Sequence, residues 1–140
     1  MSHIIYGLQI WGLHSGQTIM RKVQSVQTNT LKWVTSKYNS SLTELLNTNK
    51  WLSVHQLTIY YALFLWWKTH HSKKPARLLQ RTLRIQESEA RLLLTERIWS
   101  RKAEYYFRKV EPILSGIACI STVKKLLRQW IKTNIPIYDE

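Results

Sequence analysis

Acidic residues are scarce in this 140-residue chain: Asp139 is its only aspartate, and Glu44, Glu87, Glu89, Glu96, Glu104, Glu111 and Glu140 bring the acids to eight. Two-metal phosphoryl chemistry needs several converging carboxylates to hold Mg²⁺. A polymerase or nuclease of that kind is therefore not expected within this chain, and the sequence predicts a protein that is not itself an enzyme.

Cysteine occurs once, at Cys119, which excludes an intramolecular disulfide and a thiolate-rich zinc module and fits a reducing, intracellular compartment. Between Ala118 and Ile120 it reads as a small buried apolar residue. His70 and His71 are adjacent rather than four apart, and no HExxH spacing occurs. Neither a GxSxG elbow nor a glycine-rich phosphate loop is present. No metal and no other cofactor is expected. Long apolar runs are missing too: the greasiest stretch, 54–67, is interrupted by His55, Gln56 and Thr58 and is shorter than the roughly 20 residues a membrane helix needs. Residues 1–12 carry no cationic leader, so a soluble protein with no membrane partner is expected.

With 4 Gly and 3 Pro there is little turn chemistry, and most of the visible periodicity is near 3.6. The fold class this predicts is all-α, a basic bundle of about five helices in a single domain over 1–140, with the segment 76–95 undecided between helix and extended chain. Within it, 1–36 holds a first helix, 40–74 the central hydrophobic helices, and 75–140 the basic C-terminal helices.

In the first helix Ile19, Val23, Val26, Leu31 and Val34 recur at helical spacing and predict one buried face, with Ser15 as N-cap. Ser41 with Glu44, and Ser53 with Gln56, are capping boxes. The helix after the second box is apolar on nearly every side, so the others should pack around it. Trp99, Ala103, Tyr106 and Val110 share a face of the next helix, which Glu111 and Pro112 should end. Ser121 should cap a last helix with Val123, Leu126, Leu127, Trp130 and Ile131 inward. Trp33, Trp66, Trp67, Trp99 and Trp130 read as core, and Tyr38 and Tyr105 as surface residues.

The 21 Lys and Arg give a net charge of +13, and twelve of them fall between Lys68 and Lys109, where a net +8 accumulates. So large an excess points to a polyanionic partner. The phosphate-holding candidates are Lys73, Lys74, Arg77, Arg81, Arg84, Arg101, Lys102, Arg108, Lys109, Lys124, Lys125 and Arg128. Binding through them should follow shape and salt rather than base sequence.

Three short segments occur in order: Tyr6, Gly7, Trp11 and Gly12 (YGLQIWG) followed by a helix with Val23, Gln24, Val26 and Gln27; then Trp51, Leu52, Ser53, Val54, Gln56 and Leu57 (WLSVHQL) leading into 60–68; and finally Leu127, Trp130, Ile131, Lys132, Asn134, Ile135 and Pro136. Together they resemble the region just after the polymerase core in non-LTR (LINE-like, jockey-type) retrotransposon reverse transcriptases. That resemblance implies a thumb-like, non-catalytic part that grips an RNA or DNA template-primer beside the polymerase core of a parent element, with a nuclear location. The catalytic aspartates of such a core are not among these residues. Two other readings stay open: a helical protein-interaction or self-association module, and a degenerate element fragment without independent function.

Overall fold

The structure, a computed structural model, describes residues 16–72 and 93–137. It is all-α: five helices and, among the described residues, no strand. They are α1 (Gln17–Thr35), α2 (Leu42–Asn49), α3 (Val54–Ser72), α4 (Leu93–Leu114) and α5 (Ile120–Asn134). Most of the undecided segment 76–95, up to residue 92, lies outside the described residues.

Helix α3 is the one around which the rest is built, packing against α1, α4 and α5. Its broad apolarity is the cause, because the buried residues Val54, Thr58, Ala62, Ile59, Leu63, Trp67 and Tyr60 cover more than half of its circumference. The main core joins these residues to Val110 and Leu114 of α4 and to Val123, Leu127 and Ile131 of α5. A smaller cluster of Leu31, Leu42, Leu45 and Leu46 fixes α2 beneath α1. The inward faces expected for α4 and α5 are thus found, with Ala103 and Val110 buried on one and Val123, Leu127 and Ile131 on the other.

The Ser53/Gln56 capping box forms in full, and the Ser41/Glu44 pair makes its N-cap bond. The Ser41 Oγ accepts from the Glu44 N–H at 3.3 Å. At the start of α3 the Ser53 Oγ accepts from the Gln56 N–H, and Gln56 Oε1 accepts in return from the Ser53 N–H, both at 3.2 Å. Helix α2 runs through Asn47, Thr48 and Asn49 and stops at Lys50, which takes the left-handed conformation at φ 55°.

Helix α1 differs from the sequence expectation. Its buried residues are Gln24, Gln27 and Leu31, whereas Ile19, Val26, Trp33 and Val34 stand exposed, Trp33 at 77%. The reason is a demand for polar partners at the start of α3. Gln24 Oε1 accepts from the Val54 N–H at 2.8 Å, Gln24 Nε2 donates to Gln27 Oε1 at 2.8 Å, and Gln27 Nε2 donates to the Leu52 carbonyl at 2.9 Å. Apolar residues there would leave a buried donor and a buried acceptor unpaired, at about 1–3 kcal/mol each. Trp33 is accordingly not core; Trp67 is buried, Trp130 packs partly buried against the core, and Trp66 is half-buried beside the Phe107 ring. The side chain of Trp99 lies outside the description.

Three helix ends also move. Gly16, not Ser15, is the N-cap of α1, and Cys119, not Ser121, is that of α5. Helix α4 continues through Pro112 to Leu114, with the Ser115 N–H bonded to the Glu111 carbonyl at 2.9 Å. A proline so close to a helix end removes one donor while the following residues still find theirs, so the last turn survives.

Candidate nucleic-acid interface

Helix α5 carries Lys124, Lys125, Arg128 and Lys132, all exposed, and no acidic residue. Lys124, Arg128 and Lys132 follow one another at four-residue intervals, so they form a row with a rise of about 6 Å per step. The adjoining face, about 100° around the same helix, supplies Val123, Leu127 and Ile131 to the core, which fixes the row's orientation.

The row rests on aromatic rings of α3. Lys124 Nζ lies 5.3 Å from the centroid of Phe64, and the Arg128 guanidinium 5.7 Å from that of Tyr60. Tyr60 and Phe64 are near parallel, at 4° and 6.3 Å; Phe64 and Trp67 lie at 21° and 6.2 Å; Trp67 and His71 at 9° and 5.0 Å. Spacings of four, three and four residues put these rings on one side of α3 as a ladder, and two α5 cations reach its rungs. Each such contact is worth roughly 0.5–1 kcal/mol at an exposed site. Burial pushes the Tyr60 phenol above its usual range, against the pull of the Arg128 charge and hydrogen bond.

On α4, Arg108 and Lys109 are exposed. Lys109 Nζ donates to the Tyr105 hydroxyl at 2.7 Å and sits 4.3 Å from that ring's centroid, so its charge is folded back on its own helix. Tyr105 and Tyr38 are at the surface, as their flanking polar residues indicate. Among the other sequence candidates, Lys73, Lys74, Arg77, Arg81 and Arg84 lie outside the described residues. Arg101 and Lys102 fall within α4, but their side chains are not described. The structure thus brings together Lys124, Lys125 and Arg128, and adds Lys132, which the four-residue spacing from Arg128 could have supplied. Tyr60 and Phe64 carried no such signal, because both read simply as core.

The start of α3, the other end of the helix, offers nothing to an anion. The N–H groups of Ser53, Val54, Gln56 and Leu57 all have acceptors, from Gln56, Gln24, the Ser53 hydroxyl and the Ser53 carbonyl. Ser53, Gln24 and Gln56 are buried there as well. An anion-binding helix start needs free, accessible donors.

Cys119 is exposed rather than buried. Its Sγ lies 3.0 Å from the Ser121 Oγ. Hydrogen bonds, first from the Ser121 side chain and then from Thr122, draw the thiol down to about 6.

Among the described residues no helix is long and apolar enough to cross a membrane, and no three His, Cys, Asp or Glu side chains group as a metal ion would require. The chain matches no family model, no curated protein and no solved structure.

Proposed function

We propose that the chain is a non-catalytic grip for a nucleic-acid backbone, of the kind found in the C-terminal part of a non-LTR retrotransposon reverse transcriptase, holding template-primer phosphates on α5. The observation that carries this reading is the row Lys124, Arg128 and Lys132, exposed on a helix without acids and braced on the rings of Phe64 and Tyr60. The three segments behind the family resemblance support it further, because they converge. Gln24 from the first bonds to Val54 of the second and Gln27 to Leu52, and Gln56 of the second reaches Ile135 from the third.

The test is fluorescence anisotropy of labelled RNA and DNA primer-templates at two salt concentrations, with the native chain and with Lys124→Gln/Arg128→Gln/Lys132→Gln. The native chain should bind with affinity that falls steeply with salt. The triple variant should lower the log–log salt slope by about 2 to 3, the share of three phosphate contacts. An unchanged slope removes α5 from the interface. No binding by the folded native chain overturns the reading.

A further inference from the structure

The apolar residues that α1 leaves outside have a pattern of their own. Ile19, Val26 and Trp33 recur every seven residues, with Val23 and Thr30 between them at the alternating four- and three-residue spacing of a helix-pairing seam. Ile19 and Val26 are each 52% exposed, Val34 beside the seam 74%, and Tyr38 just past the helix 59%. Residues 19 to 33 span about 21 Å of helix, enough for roughly four turns of a partner to lie alongside.

The contacts of α1 run the other way. Gln24, Gln27 and Leu31 face α3 and α2 and are fully used there. The seam lies around the helix from them: Ile19, Val26, Thr30 and Trp33 are exposed and only Val23 is half-buried.

Charge selects the occupant. Residues 16–40 contain Arg21, Lys22, Lys32 and Lys37 and no acid. Lys22 follows Ile19 by three residues and precedes Val26 by four, which places it at the seam's flank. A second copy would bring another segment of net charge +4 with no acid to offset it, and like charges oppose such a pairing. A nucleic-acid strand could stack on Trp33 but gains nothing from Ile19, Val26 and Val34. A helix with its own apolar seam and acidic flanks satisfies both the aliphatic stripe and the cations.

We propose that the outer face of α1 docks an acidic amphipathic helix of another protein, packed along Ile19, Val26 and Trp33 with its carboxylates at Lys22 and Lys37. This surface is independent of the α5 row, and its test does not involve nucleic acid.

The probe is a synthetic peptide of about four heptads with Leu at a and d and Glu at e and g. It is titrated into the full chain, beside a Lys-flanked counterpart and a scrambled peptide of the same composition. The expected result is saturable binding of the Glu peptide, at least about tenfold weaker for the Lys peptide and the scramble, a difference of about 1.4 kcal/mol or more. Ile19→Ser/Val26→Ser/Trp33→Ser should abolish it while leaving the melting temperature and helical circular dichroism unchanged. Lys22→Glu/Lys37→Glu should exchange the preference toward the Lys peptide. Equal binding of the scramble reduces the effect to net charge and overturns the proposal. So does equal binding of the Lys peptide, unaltered binding by the serine variant, or no binding of the Glu peptide. Self-association of the native chain that the serine variant loses assigns the face to a second copy instead, and overturns it as well.

Discussion

Gln56 donates its side-chain amide to the carbonyl of Ile135 across 2.9 Å, joining the first turn of α3 to the residue that follows α5. Its other side-chain atom, Oε1, accepts from the Ser53 N–H, so one buried residue both caps its own helix and closes the bundle over 79 positions of sequence.

Replacing Gln56 by Ala should therefore cost more than a lost cap. The Ile135 carbonyl and the Ser53 N–H both lose a partner in a buried setting, and about 2–4 kcal/mol of stability should go. Gln24→Leu should destabilise by about 1–3 kcal/mol although leucine is the more apolar residue, because it strands the Val54 N–H. Urea unfolding of the two variants against the native chain measures both, and a Gln24→Leu protein as stable as the native one would contradict the account of α1.

Two tryptophans that both read as core in the sequence should behave oppositely. Trp67 is 6% exposed and packs in the main core, so Trp67→Ala should cost about 3–5 kcal/mol. Trp33→Ala should stay within about 0.5 kcal/mol, as surface substitutions do. Paired denaturant melts decide the matter, and a large loss at Trp33 would mean that the outer face of α1 is covered.

The reach of sequence reasoning follows the same division. A capping box is written within four residues, so Ser41 with Glu44 and Ser53 with Gln56 were legible. So was α3, whose apolarity on every side leaves one place for it in a bundle. Helix α1 was not, because its sequence offers one stripe through Ile19, Val26 and Trp33 and another through Gln24, Gln27 and Leu31. The choice between them depends on the Leu52 carbonyl and the Val54 N–H, 25 and 30 positions away from their partners. At the candidate site the cations of α5 were legible from a helix with four bases and no acid. Their seating on Phe64 and Tyr60 required knowing which face of α3 meets α5.

Cys119 should be a reactive thiol. Its lowered value of about 6 lies below neutral pH, so the thiolate predominates at pH 7, and the group is exposed. The sign follows directly: alkylation by iodoacetamide should rise with pH, reach half its maximum near pH 6, and be nearly flat above pH 7. Ser121→Ala removes the largest stabilising hydrogen bond and should move that midpoint upward. A midpoint at the ordinary thiol value in the native chain would contradict the geometry at the start of α5.

The join between α1, α3 and α5 is made of amides, hydroxyls and backbone groups, and none of its members carries a charge. Neutral hydrogen bonds are not screened by salt, whereas contacts between α5 cations and a polyanion are. On the proposed grip, raising the ionic strength should consequently strip a polyanion from α5 while the bundle keeps its shape, so that loading and elution would not pass through an unfolded state.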